Sequence, residues 1–134
     1  MKRREFIGIA AAGAAGVVLP TPIRADASIA SALSHPRLIE ILHDERLVRA
    51  LGRRYRDTVS GETDAGVIST AILSGLNVDP HSRVPLPVDA SRLRAQVDEL
   101  VHRDFLAGRT VVLKGWILSV TEARQCALYS LLPA

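Results

Sequence analysis

Residues 91–108, SRLRAQVDELVHRDFLAG, decide the fold, because they carry the clearest helical pattern of the chain. Apolar side chains recur in them every three or four positions, which predicts an amphipathic helix with one face on a core. That face comprises Leu93, Val97, Leu100, Val101 and Phe105. Asp89 or Ser91 can cap the start of this helix, and Gly108 can end it in the left-handed conformation.

Two shorter apolar faces precede this stretch. They predict helices over Pro36–His43 and Glu45–Arg56, or one helix kinked near Asp44. Ser34 can cap the first helix, and Asp44 can cap the second. The same region is rich in arginine, which we interpret as a solvated face rather than a binding patch: Arg46, Arg49, Arg53, Arg54 and Arg56.

A further helix is predicted to begin at Thr63 or Asp64, either of which can cap it, and to run to about Leu76. The segment that follows, residues 77–87, contains three prolines. Proline at that density excludes a helix, so we interpret the segment as a connecting loop that is also long enough to wrap around a neighbour.

The C-terminal part combines a short apolar run with a capped helix. Residues 110–113, TVVL, have strand propensity but no obvious pairing partner, so they predict an extended connector or a lone strand. Ser119 and Glu122 have the spacing of a capping box and predict a last helix that ends at Pro133. The fold expected from the whole pattern is all-α, a small bundle of about four to five helices.

Composition limits the chain to one small domain behind a leader. It has 134 residues, and residues 28–134 hold thirteen basic against twelve acidic side chains. A nearly neutral domain has no strong field for nucleic acid or anionic lipid, so neither partner is expected. Cys126 is the only cysteine, which excludes an intramolecular disulfide and the cysteine-rich metal motifs.

The first residues, MKRREFIG, resemble the signal of the twin-arginine export route. The residues that match this motif are Arg3, Arg4, Phe6 and Ile7. The apolar stretch that follows is shorter than the approximately 20 residues that a membrane span needs, and prolines interrupt it. Ala25 and Ala27 provide the small-residue spacing that a signal peptidase recognises. We therefore expect residues 1–27 to be a cleavable leader, the translocase to be a partner, and the mature protein to be periplasmic.

The residues that could carry chemistry form no motif. His35, His43, His81 and His102 have no metal-ligand spacing, and Ser119 lacks the frame of a nucleophile elbow. We therefore predict no catalytic, cofactor-binding or metal-binding residue, and no bound cofactor.

Two residues are candidates for a partner interface. Trp116 is the only tryptophan, and tryptophan serves both as core and as interface anchor. Cys126 lies in an apolar run, which favours a buried and inert thiol, with contact to another subunit as the alternative. In so small a domain, we expect Trp116 to lie in the core rather than at an interface.

Residues 104–110, DFLAGRT, and 115–124, GWILSVTEAR, are similar to runs in small proteins exported by the twin-arginine route. With its leader and helical plan, the chain resembles the small subunits of periplasmic flavin-dependent sugar and alcohol dehydrogenases, such as those for fructose, sorbitol and gluconate. That resemblance implies a protein without a redox cofactor of its own, which accompanies a large flavoprotein. It implies no catalytic residue.

Three functional hypotheses follow. The first is a non-catalytic accessory subunit that supplies the export signal and stabilises a cofactor-bearing large oxidoreductase subunit. The second is a stand-alone periplasmic binding or scaffolding domain with no redox partner. The third is a small enzyme, which requires scattered His, Asp and Cys126 side chains to converge in one pocket.

Overall fold

The computed structural model describes residues 31–76 and 90–133, and these residues form a small, mostly helical domain with one β-hairpin. The described elements follow the order α1 (Leu38–Leu42), α2 (Glu45–Thr58), α3 (Ala65–Ser74), α4 (Ala90–Leu106), β1 (Thr110–Leu113), β2 (Trp116–Ser119) and α5 (Val120–Ser130). Predictions made for the leader, for residues 77–87 and for Asp89 fall outside the described residues. Within them, no helix is both long enough and apolar enough to cross a membrane.

Helix α5 lies at the centre of the domain. Seven of its eleven residues are buried: Thr121, Ala123, Gln125, Cys126, Ala127, Leu128 and Tyr129. Helix α2 packs directly against it with Val48, Leu51 and Tyr55, and Gly52 brings the two backbones into contact. The small side chains of α5 permit this close approach, and the apolar faces of α3 and α4 complete the core around it.

Side-chain caps define the starts of three helices. The carboxylates of Asp44 and Asp64 accept hydrogen bonds from Leu47 N at 3.0 Å and from Gly66 N at 3.1 Å. The Ser119 hydroxyl accepts one from Glu122 N at 2.9 Å, as the capping-box spacing predicts.

The first helix differs from its prediction. Ser34 is not its cap, since Arg37 holds the N-cap position and the Ser34 hydroxyl donates to Ser31 O instead. His43 ends α1 with a left-handed φ of 50°, so α1 and α2 are two separate helices.

The domain is mostly helical, as predicted, but it also contains a hairpin that an all-α fold lacks. Strand β1 is not a lone strand, because it pairs antiparallel with β2, with Val112 opposite Ile117 and Leu113 opposite Trp116. The two-residue turn between the strands has φ of 50° at Lys114 and 84° at Gly115. Positive φ at both positions is the requirement of the turn that matches the right-handed twist of a hairpin. Gly115 adopts a positive φ without strain, and Lys114 adopts one with some strain, so this pair of residues permits the tight turn that joins the two strands.

The inner face of α4 is also shifted from the predicted one. Leu93, Val97 and Leu100 are buried as expected, but Phe105 is 45% exposed and Asp104 is buried in its place. Gly108 has the left-handed φ predicted for the end of this helix.

Candidate functional site

The most conspicuous apolar feature of the described surface lies on the hairpin and the adjoining end of α4. Val112 and Ile117 face each other across the strands and are 67% and 65% exposed. The last turn of α4, three residues before β1, adds Phe105 and Leu106. We call these four residues the hairpin surface, with Trp116 at its edge, because the register places Trp116 on the opposite face of the hairpin, beside the buried Leu113. All five fall within thirteen consecutive residues of the chain, so one structural unit presents them.

Trp116 lies at the edge of this surface, on the face of the hairpin that also carries the buried Leu113 and Leu118. It is the first residue of β2, directly after the turn, and it pairs with the buried Leu113. About 40% of the residue remains exposed. The expectation that favoured a core position is therefore wrong. The reason is the hairpin itself, because pairing places Trp116 beside the turn at the tip of the sheet, where part of the residue stays exposed.

A buried carboxylate anchors the hairpin to the helical domain. Asp104 Oδ2 accepts hydrogen bonds from the backbone N–H of Thr121 at 3.0 Å and from its hydroxyl at 2.6 Å. Asp104 Oδ1 accepts from Arg109 Nε at 3.0 Å. These bonds tie the end of α4 and the residue before β1 to the first turn of α5. The hairpin surface is therefore held in place, although a two-stranded hairpin alone is only marginally stable in water.

A second polar cluster joins the turn after α2 to α5. Arg124 makes a two-pronged ion pair with Glu62, at 2.9 Å and 2.8 Å, and Tyr55 Oη donates to the same carboxylate at 2.8 Å. The Arg124 guanidinium lowers the pKa of Glu62, while burial and the bond to Glu62 raise the pKa of Tyr55 to about 12. All three side chains satisfy one another, so this cluster is explained by its structural role.

Cys126 lies in the centre of the core, fully buried on α5. That position agrees with an inert thiol and removes the residue from any surface of the described fold, so contact between Cys126 and another subunit has no geometric basis. Burial raises the pKa of this thiol to about 12. At neutral pH the thiol is therefore protonated, and only the thiolate is a strong nucleophile.

The remaining candidate residues do not converge. His35 is exposed and shares a 2.8 Å hydrogen bond between its Nδ1 and Ser31 O, whereas His43 and His102 are exposed on other elements. In residues 31–76 and 90–133, no group of three or more His, Cys, Asp and Glu side chains could hold a metal ion.

The predicted export and cleavage residues lie outside the described part of the chain: Arg3, Arg4, Phe6, Ile7, Ala25 and Ala27. His81 also falls in an undescribed range. Sequence reasoning missed Val112 and Ile117, whose signal was the pair of apolar runs that flank the Lys-Gly turn, and Asp104, for which no local signal exists. Comparison with protein-family models, curated proteins and solved structures gives no match, so the geometry of the surfaces is what supports a function.

Proposed function

We propose that this protein is the accessory small subunit of a periplasmic oxidoreductase and that its hairpin surface binds the cofactor-bearing large subunit, for which we suspect a flavoprotein. The observation that carries the proposal is the exposed pair of Val112 and Ile117 on the outer face of the hairpin, next in the chain to the exposed Phe105 and Leu106 at the end of α4, with a partly exposed tryptophan at the hairpin tip. Scattered exposed apolar residues are normal on a soluble protein, but a cluster of them marks an interaction site. Tryptophan in particular is enriched among the residues that contribute most to binding.

The charges beside this surface indicate the chemistry of the partner. Lys114 lies in the hairpin turn and is exposed, and Arg109, which directly precedes β1, is also exposed although it pairs with Asp104. Interfaces commonly have an apolar centre and a polar rim, with opposite charges facing each other across the rim. The partner surface is therefore expected to be apolar at its centre and acidic at its edge.

The leader supplies the second line of support. By resemblance, its paired arginines direct a folded protein across the membrane, and such passengers usually carry a cofactor or travel with a subunit that does. The described residues offer no metal cluster, and the sequence contains no cofactor motif. A small subunit that provides the export signal for a cofactor-bearing partner accounts for both features.

Co-purification tests the interface. The full chain with a C-terminal tag is expressed in its source cells, and the wild type is compared with Ile117→Asp and with Val67→Asp. Val67 is an equally apolar, 44% exposed residue on α3, away from the hairpin, and is the matched control. We expect the wild type and Val67→Asp to retain one large protein that shows flavin absorbance, and Ile117→Asp to lose it. A monomeric wild type in the periplasm, or equal retention by all three proteins, would refute the proposal and favour a stand-alone binding domain.

Export tests the leader. We expect the double variant Arg3→Lys, Arg4→Lys to leave both this chain and its large partner in the cytoplasm, because one signal serves the two proteins. Undiminished delivery of either protein to the periplasm would contradict a shared export signal.

A further inference from the structure

The hairpin directs some of its backbone N–H and C=O groups away from its own ladder. In an antiparallel pair, hydrogen-bonded and non-hydrogen-bonded residue pairs alternate along the strands. Val120 N donates to Arg109 O at 3.1 Å, so these two residues form a hydrogen-bonded pair. The Val112–Ile117 pair lies three positions further along the register and is therefore a non-hydrogen-bonded one. The backbone groups of Val112 and Ile117 consequently point to the two outer edges of the hairpin.

The outer edge of β1 is the more accessible of these two edges. Thr110 and Val112 lie on the same face of β1, and both are exposed. On β2, Ile117 is exposed, but Ser119, the next residue on that face, is fully buried. Among the described residues the sheet consists of β1 and β2 alone, so the outward groups of Val112 face no further strand. A strand added to a sheet edge pairs over several residues, and β1 offers that length.

Both ends of the β1 edge carry a positive charge. Arg109 directly precedes β1 and Lys114 directly follows it, and both side chains are exposed. The bond from Arg109 to Asp104 uses Nε, so the two terminal nitrogens of the guanidinium stay without a hydrogen bond to the described residues. Residues 105–121 contain no aspartate or glutamate, and no lysine or arginine other than these two. The charges of this stretch are therefore positive only.

These charges disfavour a second copy of the chain as the strand that extends the sheet. Because β1 has a positive side chain at each end, two paired β1 strands would bring positive charges together in either a parallel or an antiparallel arrangement. Like charges opposite each other destabilise a sheet, and basic side chains at an edge are one way in which proteins prevent self-pairing. A strand with negative charges at its ends avoids this repulsion.

We propose that the large subunit donates an extended segment that pairs with the outer edge of β1 as the third strand of the sheet. This inference rests on the proposed function and specifies how the partner binds. The donated segment bonds the N–H and C=O groups of Val112 through its own backbone. It matches the four residues of β1 in length, with an acidic side chain at each end to face Arg109 and Lys114. Main-chain bonds hold the segment, and the charges select it.

Amide hydrogen exchange, resolved to single residues by mass spectrometry, tests the pairing in the wild-type protein. Exchange is compared between the chain alone and the chain co-purified with its large partner. A free N–H at an edge exchanges fast, whereas a bonded one exchanges only when the ladder opens. We expect exchange at Val112 to slow by at least about a hundredfold in the complex, and exchange at Ile117, on the other edge, to slow by less than about tenfold. Unchanged exchange at Val112, or stronger protection at Ile117, would overturn the proposal.

Two substitutions at position 112 separate the backbone group from the side chain. Val112→Pro removes the outward N–H but no bond of the hairpin, and proline is tolerated on a free strand edge. Val112→Thr keeps the N–H at nearly the same side-chain volume and is the matched variant. We expect Val112→Pro to retain about tenfold less of the large subunit than Val112→Thr does, because the edge loses a donor. Equal retention by the two folded variants would overturn the proposal. If Val112→Pro does not fold, the exchange measurement decides.

Lys114→Asn tests the acidic ends of the donated segment. Asparagine suits the positive φ at this turn position, so the substitution removes the charge and keeps the hairpin. We expect Lys114→Asn to retain less of the large subunit at low salt, and its retention to depend less on salt than that of the wild type. Equal retention and equal salt dependence in the two proteins would refute a segment with acidic ends.

The outcomes distinguish this inference from the proposed function. A wild type that retains no large subunit refutes the proposed function, and strand addition with it. A wild type that retains the large subunit while Val112 N–H exchanges freely leaves the proposed function standing and overturns strand addition alone. A homodimer in which Val112 N–H is protected would show that a second copy completes the sheet, which also overturns the proposal.

Discussion

Replacing Gly52 by alanine should destabilise the protein, although alanine is the better helix former. Gly52 faces the backbone of α5, and a Cβ built on it would collide with the carbonyl oxygen of Cys126. The same Cβ would lie 2.5 Å from the Cys126 carbonyl carbon and 2.9 Å from Ala127 N. These atoms belong to the backbone of a central helix, so no side-chain rotation can relieve the contact.

The geometry sets the size of the effect. Carbon atoms in contact prefer separations of about 3.5–4.0 Å, so α2 and α5 would have to move apart by about 1 Å. Overpacking of this kind costs about 1–3 kcal/mol and occasionally more, while the change from glycine to alanine inside a helix returns about 1 kcal/mol. Because the contact involves backbone on both sides, we expect Gly52→Ala to lower the free energy of unfolding by about 2 kcal/mol.

Urea unfolding followed by circular dichroism measures this change, with the slope against urea checked for two-state behaviour. Gly75→Ala is the matched control, because its Cβ would meet Leu100 side-chain carbons at 2.9 Å and 3.2 Å. The ends of a leucine side chain can shift, so we expect the control to change stability by less than about 1 kcal/mol. A Gly52→Ala protein as stable as the wild type would refute the backbone contact between α2 and α5.

Three other predictions concern polar and buried groups. Asp104→Ala should cost about 3 kcal/mol in urea unfolding, because buried donors on Thr121 lose their charged acceptor, whereas removal of an exposed carboxylate such as Asp98 should cost less than about 1 kcal/mol. Arg49→Lys should cost about 1–2 kcal/mol in the same assay, because the guanidinium bonds three C-terminal carbonyls and lies 4.6 Å from the Tyr129 ring centre; wild-type stability would contradict that role. Cys126→Ala should be about 1 kcal/mol less stable than the wild type at pH 7 and more stable above about pH 10. Burial raises the pKa of the folded thiol to about 12, against 9.0 in the unfolded chain, so the wild type keeps its full stability below pH 9 and loses stability as the pH rises towards 12. The same stability difference between Cys126→Ala and the wild type at pH 7 and at pH 11 would contradict the burial of the thiol.

Local signals in the sequence predicted the helices and most of their starts. Asp44, Asp64 and Ser119 act through bonds to backbone N–H groups two or three residues away, so their role can be read without knowing the fold. The role of Gly108 can be predicted in the same way, because ending the helix requires only that this residue adopt a left-handed φ. Ser34 also has a side chain that can cap a helix, but it lies about one turn before the N-cap position of α1, which Arg37 occupies. No short-range pattern in the sequence distinguishes Ser34 from the residues that do act as caps.

The hairpin was within reach of the sequence but was not predicted. Two four-residue runs of apolar and β-branched side chains flank Lys114 and Gly115, and a two-residue turn ending in glycine is a hairpin signal. The second run was instead joined to the helix that follows it. That choice left β1 without a partner and placed Trp116 in the core.

The buried polar residues could not have been predicted. Asp104 lies on α4 where the helical pattern suggests an exposed position, and it is buried because its acceptors meet donors on α5 seventeen residues later. In the sequence, Arg49 resembles the solvent-exposed arginines around it. Its guanidinium nevertheless donates to the backbone carbonyls of Tyr129, Leu132 and Pro133, which lie 80 to 84 residues later in the chain. Arg46, Arg53 and Arg54 are exposed, as predicted.

The position of Asp104 also bears on how the hairpin surface can function. An apolar surface on an unsupported hairpin would lose binding energy to ordering, because each residue fixed on association costs conformational entropy. Here the ordering is already complete in the folded domain, since Asp104 fastens the end of α4 and the residues before β1 to the start of α5. In the proposed complex, partner binding and folding stability would therefore depend on the same carboxylate. A variant at Asp104 should weaken both together, whereas a variant at Ile117 should weaken binding alone.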